Sequence, residues 1–168
     1  HCERIINEPT SAALAYGERT EGERHVLIFD LGGGTFDISI LHFSNGLVET
    51  LATRGDTFLG GEDFDERLLD MLADNFLNAH NIDPREDPVA RRRLKDAAEG
   101  AKCELSFRDS TTILVPRLLG NTTLEYEISR GEFELLVDDL IQRAIEVTSQ
   151  TITDSGLRFQ DIDDLVLV

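Results

Sequence analysis

The hydrophobic and polar positions of residues 26–53 predict three consecutive β-strands. An apolar run, Val26 to Phe29, precedes a segment from Phe36 to Ile40 in which apolar and polar side chains alternate with the period of a strand. Asn45-Gly46 is a strong hairpin-turn signal, so the second segment is expected to pair with residues 47–53 as antiparallel strands. This part of the chain is therefore predicted to form a β-meander.

The rest of the chain is dominated by apolar residues at helical spacing, interrupted by one further pair of alternating segments. Helices are predicted at residues 10–16, 62–76, 89–105 and 129–154, a hairpin at 111–128, a loop at 78–88 and a final strand after 164. Ser129 with Glu132 predicts a capping box at the start of the last helix, whose Arg143 is interpreted as a surface cation. Helices and strands in this order indicate an α/β protein.

A glycine-rich turn, Gly32-Gly33-Gly34-Thr35, joins the first two strands of the meander. Glycines permit backbone conformations closed to other residues and a close approach to a ligand, and successive N–H groups in such a turn form a concave anion site. A strand follows the turn where a Rossmann fingerprint or a P-loop requires a helix, and no Gly-Lys-Ser/Thr is present. Asp30 and Asp37 flank the turn and are predicted to hold a hydrated Mg²⁺. The alternative is an ordinary hairpin tip with aspartates at the strand ends.

The charge of the chain limits the partners it can have. There are 33 acidic and 16 basic residues, for a formal charge of −17. This balance argues against nucleic acid or an anionic membrane as a partner, since both require a basic surface. A phosphate-bearing ligand must then be held by backbone amides, a metal ion and a few placed cations.

Cysteine content and targeting signals limit the possible functions less than the charge does. Cys2 and Cys103 are too few and too far apart for a disulfide framework or a zinc site, so a reducing compartment is expected. We find no targeting signal and no apolar segment long enough to span a membrane. The chain starts abruptly at His1 and stops at Val168 inside a strand-like run, and both ends are expected to be cuts through a longer protein.

Three blocks of the sequence resemble one known family. The segment Asp30-Leu31-Gly32-Gly33-Gly34-Thr35-Phe36-Asp37 is similar to the second phosphate motif of DnaK-type (heat-shock protein seventy) chaperones, which belong to the actin and sugar-kinase ATPase superfamily. Arg4–Thr10 and Gly55–Asp65 resemble further blocks of this family in the same order. The resemblance implies a ribonuclease-H-like fold, the second lobe of an actin-type ATPase. Residues 1–59 and 138–168 would form its core subdomain, and residues 60–137 an inserted α+β subdomain.

The same resemblance implies roles in ATP hydrolysis for residues of the first two blocks. Gly32, Gly33, Gly34 and Thr35 would hold the β- and γ-phosphate oxygens. Asp30 and Asp37 would hold Mg²⁺ through its waters and, with Thr35 and Glu8, orient the attacking water. Gly60, Gly61 and Glu62 would be further nucleotide contacts. From the residues alone, Glu8 is equally a polar residue before a proline that starts a helix.

The resemblance also assigns one helix face to the adenosine. Glu99, Lys102 and Ser106 follow i, i+3, i+7 spacing and so share a face, which in the family forms one wall of the adenosine pocket. Without the resemblance, the simpler interpretation is a solvated face with an ion pair. Cys103 stands where many relatives have an arginine that stacks on adenine, which puts the nucleotide affinity in question.

The implied function is that of the nucleotide-binding lobe of an ATP-dependent protein-folding chaperone, with ATP/ADP and Mg²⁺ as cofactors. The implied partners are a nucleotide-exchange factor, a J-domain co-chaperone, and an unfolded polypeptide bound by a domain outside this chain. The implied location is cytoplasmic, in a bacterial-type cytosol, with the mitochondrial matrix as the alternative.

Other functions stay open at this stage. The family takes a first phosphate loop and a lysine from a lobe upstream of His1, so these 168 residues alone are expected to hydrolyse ATP negligibly. One alternative is a docking module for a nucleotide-exchange factor, formed mainly by residues 62–128. The other is a different ATPase of the actin and sugar-kinase superfamily, against which the Asn7-Glu8-Pro9 block argues.

Overall fold

The computed structural model describes residues 6–17 and 22–168, which belong to two compact units. The first unit joins the chain up to Gly61 with Gln142–Val168, and the second is Glu62–Ile141. The sequence places the corresponding boundaries near 59/60 and 137/138. Cys2 and the first two residues of the Arg4–Thr10 block lie outside the described residues.

Five helices and six strands are found in the part of the chain that the structure describes. In chain order they are α1 (Glu8–Gly17), β1 (Arg24–Leu31), β2 (Phe36–Ser44), β3 (Leu47–Asp56), α2 (Gly61–His80), α3 (Pro88–Leu105), β4 (Ser110–Leu119), β5 (Thr122–Ser129), α4 (Arg130–Leu136), α5 (Asp138–Asp154) and β6 (Asp164–Leu167). Short 3₁₀ turns occur at Pro84–Glu86 and Phe159–Asp161. None of the described helices is long and apolar enough to cross a membrane.

The first unit is built on a four-stranded sheet in the order β3-β2-β1-β6. Strands β1, β2 and β3 form the predicted antiparallel meander, and β6 pairs with β1 in parallel. The β2–β3 turn has φ values of 51° at Asn45 and 76° at Gly46, the left-handed pair that a two-residue type I′ turn requires. This turn fixes the register of the hairpin, with Ser44 opposite Leu47.

Strand β1 lies at the centre of the sheet and is covered on both faces. Val26, Leu27 and Ile28 are all buried, although successive side chains of a strand point to opposite faces. Ala12 of α1 packs against the cluster formed by Val26, Ile28 and Leu41. Helix α1 is thereby held against one face of the sheet.

The second unit has its own core, formed between two helices and a hairpin. Its buried apolar residues come from α2, α3, β4 and β5: Leu68, Leu69, Leu72, Ala73, Phe76, Ala90, Leu94, Ala98, Ala101, Leu105, Ile113, Val115, Leu118, Leu124 and Ile128. The apolar faces predicted for α2 and α3 are therefore confirmed. Small alanines on α3 allow close packing of this helix against its neighbours.

A ladder of ion pairs joins α2 to α3 and to the turn before it. The pairs are Glu62–Lys95, Glu66–Arg91, Asp70–Arg85 and Asp74–Arg85. The carboxylates recur every four residues along one face of α2. The hydrogen bonds that Arg85 donates to Asp83, Asp70 and Asp74 raise the pKa of its guanidinium. Exposed pairs contribute little singly, so we interpret the ladder as fixing the register of the two helices.

The structure corrects two of the predicted element boundaries. Helix α2 continues to His80 and a 3₁₀ turn follows, where the sequence predicts a loop over 78–88. The predicted helix 129–154 is two helices, because Val137 leaves helical geometry (φ −111°, ψ 9°) between α4 and α5. Asp138 and Asp139 then lie in the first turn of α5, where carboxylates interact favourably with the helix dipole. The predicted capping box of Ser129 and Glu132 is confirmed.

Candidate active site

Asp30 and Asp37 are directly opposed residues of the β1–β2 ladder. Their Cα atoms are register partners, and Leu31 and Phe36 are the next pair towards the turn. The turn closes with a hydrogen bond of 2.9 Å from Gly32 N to Thr35 O. Directly opposed residues of antiparallel strands have Cβ atoms about 5 Å apart. The hairpin thus presents two carboxylates as neighbours immediately below the glycine-rich turn.

The three glycines of the turn leave room for a ligand without adopting a positive-φ backbone. None of Gly32, Gly33 and Gly34 is among the residues with positive φ. A Cβ atom added at Gly33 or Gly34 would meet no heavy atom within 4 Å. Both glycines and Thr35 are exposed. The absence of side chains here leaves open space over the turn, in which a ligand can approach the backbone.

A cavity of about 410 Å³ lies between the start of α1 and the meander. It brings together Glu8, Asp30 and Asp37, three of the residues that the sequence singles out. Its other lining residues are Asn7, Pro9, Thr10, Ala12, Ile28, Ser39, Thr50, Thr53 and Val168. Thr35 and the glycines of the turn are not among them. The acids of the predicted catalytic set therefore share one cavity, and the predicted phosphate ligands form the turn beside it.

Hydroxyl groups continue the polar lining of this cavity below the carboxylates. Ser39 is buried, and its hydroxyl lies 2.9 Å from that of Thr53, which donates to Ile38 O at 3.2 Å. Ser39 and Thr53 are not predicted as site residues from the sequence. The signal was present in the alternation of β2, because Asp37 and Ser39 are two residues apart and so share a face of the sheet.

The segment from Gly55 to Gly61 crosses the glycine-rich turn and touches its backbone. A Cβ atom at Gly60 would lie 2.6 Å from both Gly33 C and Gly34 Cα, so only glycine fits. Gly61 N donates to Gly32 O at 2.9 Å. Two of the predicted nucleotide contacts, Gly60 and Gly61, thus lie against the turn itself.

An arginine that the sequence analysis interprets as a surface cation is attached to this crossing segment. Arg143 of α5 contacts the Asp56 carboxylate through two nitrogens, at 2.5 and 2.6 Å. Its Nη1 donates to Phe58 O at 3.2 Å. With a separation of 87 residues between Arg143 and Asp56, no local pattern could have indicated this pair.

The remaining predicted ligands lie in the second unit. Glu99 and Ser106 of the α3 face are exposed. Lys102 between them is partly buried, and its Nζ lies 2.7 Å from Oδ1 of Asp65, whose side chain is only 5% exposed. Glu62 forms its ion pair with Lys95 at 3.0 Å. The lysine of the predicted adenosine face therefore already neutralises a buried carboxylate.

The donor set at the hairpin fits a hydrated magnesium ion. Among the described residues there is no group of three or more His, Cys, Asp or Glu side chains arranged to hold a metal directly. Mg²⁺ gives up its waters reluctantly and is commonly bound by one or two carboxylates together with substrate phosphates. The opposed pair of Asp30 and Asp37, next to an open glycine turn, offers this kind of site.

The chain is similar to known proteins along its whole length. The family model described as Hsp70 protein matches residues 1–168. Two curated relatives, both named chaperone protein DnaK, from the R1 and NRC-1 strains of Halobacterium salinarum, are each 50% identical to it over 170 residues. The alignments cover 99% of this chain and 27% of each relative. The chain thus spans about a quarter of the length of the curated relatives it matches.

Proposed function

We propose that this chain, which belongs to the Hsp70 protein family, supplies the phosphate-binding hairpin of an ATP-hydrolysing chaperone. The α/β, actin-type ATPase fold expected from the sequence is the fold of this family. The observation that carries the proposal is the shared cavity of Glu8, Asp30 and Asp37 beside the open turn. Since the relatives are longer, the activity belongs to the full-length protein that carries these residues.

The turn would bind the phosphates of ATP through its backbone. Gly33, Gly34 and Thr35 are exposed, with open space where glycine side chains would be, so their N–H groups and the Thr35 hydroxyl would serve as the donors. Phosphoryl transfer depends chiefly on positioning and on electrostatic stabilisation of the oxygens, which such donors supply. A net charge of −17 makes these local donors necessary, because bulk attraction of a polyanion is absent.

The acids of the cavity would orient the attacking water and hold magnesium. Asp30 and Asp37 would bind the waters of the magnesium ion. The ion, when bound, would neutralise phosphate charge. Asp37 and Glu8 would accept hydrogen bonds from the attacking water and so direct a lone pair towards phosphorus. Each of these groups lines the same cavity.

Other nucleotide contacts are proposed on the family resemblance alone. Glu99, Lys102 and Ser106 would form an adenosine-binding face of α3. Gly60, Gly61 and Glu62 would be further contacts. The division of the chain into a core of residues 1–59 and 138–168 and an inserted subdomain of residues 60–137 has the same basis. The two compact units, divided at 61/62 and 141/142, support this division.

The family also carries the proposal of partners and location for the full-length protein. We expect a nucleotide-exchange factor, a J-domain co-chaperone and unfolded polypeptide as partners, and a cytoplasmic location. An isolated docking module and another actin or sugar-kinase superfamily ATPase have no better support, since the family match covers residues 1–168.

Calorimetric titration of the full-length protein with ATP, with and without Mg²⁺, tests the proposal. We expect Asp30→Asn to weaken the magnesium-dependent binding. The matched control is Asp109→Asn, which removes a fully exposed carboxylate from the second unit. Equal affinities of the Asp30 variant and the control, or binding that does not depend on the phosphates, would contradict the proposal.

A further inference from the structure

We propose that Arg143 is a positioning residue for the phosphate turn, which it holds in place through the crossing segment Gly55–Gly61. The inference rests on the proposed function of the turn and adds a residue of α5 to the site. Arg143 lies outside the cavity lining and contacts the turn only through other residues. Its role would be to fix the place at which the backbone of the turn meets phosphate.

Arg143 contacts the crossing segment through all three nitrogens of its planar guanidinium group. Arg143 Nε and Nη2 lie 2.5 and 2.6 Å from the two oxygens of Asp56, and Nη1 donates to Phe58 O at 3.2 Å. Phe58 N in turn donates to Asp56 Oδ1 at 2.9 Å. A bidentate arginine–carboxylate pair is strong and directional, and a lysine cannot reproduce its geometry.

The pair is placed where it can control the path of the crossing segment. The Asp56 side chain is 12% exposed, so its carboxylate has little contact with water and is bound by this partner instead. The Phe58 ring is 79% exposed and adds little packing, whereas Leu59 is completely buried. The main chain at Phe58 is therefore fixed by its two hydrogen bonds, one to Asp56 and one to Arg143.

The crossing segment transmits this position to the turn through main-chain contacts. Gly60 lies flat against Gly33, with no room for a Cβ atom, and Gly61 N donates to Gly32 O at 2.9 Å. At its other end, Asp56 is the register partner of Phe36. Gly55 leaves space for the Asp37 carboxylate, because a Cβ atom there would lie 2.6 Å from Asp37 Oδ1. A shift of the segment would therefore displace both the phosphate turn and a catalytic acid.

A second ion pair in the same unit provides a matched control. Arg54 of β3 pairs with Asp154 of α5 at 2.6 Å, so it joins the same two elements as the Asp56–Arg143 pair. Both of its side chains are about half exposed, and Arg54 donates to Asp154 and Gln150 of α5. If Arg143 serves only to hold α5 against β3, loss of Arg54 should have a comparable effect.

The test compares the affinities of the full-length protein for ATP and for adenosine, each measured by calorimetry with Mg²⁺ present. We expect Arg143→Gln to weaken ATP binding by roughly tenfold, because donors to a charged phosphate are displaced, and to leave adenosine binding unchanged. Arg143→Lys should lie between the wild type and Arg143→Gln. Arg54→Gln should change neither affinity. If Arg143→Gln does not fold, Asp56→Asn replaces it, with the same expectation.

The outcomes separate this inference from the function on which it rests. Equal loss of ATP and adenosine affinity in Arg143→Gln, or the same loss in Arg54→Gln, would reduce Arg143 to a structural residue and overturn the inference. Full ATP affinity in a folded Arg143→Gln or Asp56→Asn protein would also overturn it. A wild-type protein that binds ATP no better than adenosine would instead overturn the proposed function of the turn, and this inference with it.

Discussion

Asp30 and Asp37 face each other directly across the first two strands of the sheet. Two carboxylates in this relationship repel each other, and the fold gains nothing from having both. The pair sits at the rim of a cavity that Glu8 also lines. An arrangement that costs stability at such a place supports the proposal that the pair binds a hydrated cation.

We predict that Asp30→Asn increases the free energy of unfolding of this chain in the absence of divalent cations, by about 0.2–1 kcal/mol, because like charges directly opposite in a sheet are destabilising. The same variant should bind Mg-ATP more weakly in the full-length protein. Urea unfolding with and without Mg²⁺ measures the first effect. A variant that loses stability in the metal-free buffer would show that the two carboxylates do not repel each other there.

A comparison of Gly60→Ala with Gly34→Ala should distinguish an effect on the stability of the turn from an effect on its affinity for ATP. A Cβ atom at Gly60 overlaps the backbone of Gly33 and Gly34, so we expect a loss of about 1–3 kcal/mol in the free energy of unfolding. Gly34→Ala meets no atom of the protein and should leave stability nearly unchanged while it weakens ATP binding. Urea unfolding and calorimetry on both variants are the measurements. Equal stabilities would mean that the crossing segment does not press on the turn.

Lys102→Met should destabilise the second unit by about 3 kcal/mol, because it leaves the Asp65 carboxylate buried without its partner. The double variant Asp65→Leu/Lys102→Met should recover most of this loss, since an apolar pair needs no desolvation of charge. Thermal unfolding of the single and double variants decides the point. If Lys102→Met left the unfolding temperature unchanged, the ion pair would not be needed for stability.

This pairing also affects how the adenosine face is tested. Affinity lost in a Lys102 variant would include a folding effect, whereas Glu99 and Ser106 are exposed. Glu99→Gln and Ser106→Ala are therefore the cleaner substitutions. We expect each to weaken adenosine binding in the full-length protein without a change in unfolding temperature.

Asp161 should make the stability of the first unit depend on pH in the acid range. Hydrogen bonds from the Arg158 side chain and backbone lower the pKa of Asp161 from 3.8 to about 2. A carboxyl group whose pKa is lowered by folding stabilises the protein above its unfolded pKa, and the contribution is lost as the pH falls through the folded value. The wild type should therefore exceed Asp161→Asn in stability at pH 5, and the difference should vanish towards about pH 2.

Denaturant unfolding at several pH values between about 2 and 6 measures this difference. Arg158→Gln should reproduce the effect of Asp161→Asn, because it removes the guanidinium that lowers the pKa. A stability difference that stays constant over the whole range would show that Asp161 does not titrate in the way that its contacts imply.

Local signals explain why most of the architecture could be predicted. The Asn45-Gly46 turn sets the register of β2 and β3 as far as the Leu41–Thr50 pair, and the Ser129–Glu132 box marks a helix start within four residues. The amphipathic faces of α2 and α3 repeat at helical spacing and indeed form the core of the second unit. Such features depend on neighbours in the chain, which a sequence displays directly.

The parts that could not be predicted depend on distant contacts or on small energetic differences. The Asp56–Arg143 pair joins residues 87 positions apart, so Arg143 looks like any exposed cation of a helix. The helix breaks at Val137, although the apolar residues keep their helical spacing across this position. Only the two aspartates that follow weakly indicate the start of a new helix. Glycines in a turn permit a positive φ, but none of the three has one. Gly33 and Gly34 instead leave open space, because they have no side chains.

The contact of Gly60 with Gly33 is made between main chains, and this has a consequence for how the site can change over generations. Replacement of an exposed side chain of the turn itself, such as Thr35, does not alter this contact, because no side chain takes part in it. The side chain at Thr35 can therefore change while the main chain of the turn keeps its course. A hairpin supported in this way can accept different side chains, and with them different ligands, without a change in its backbone.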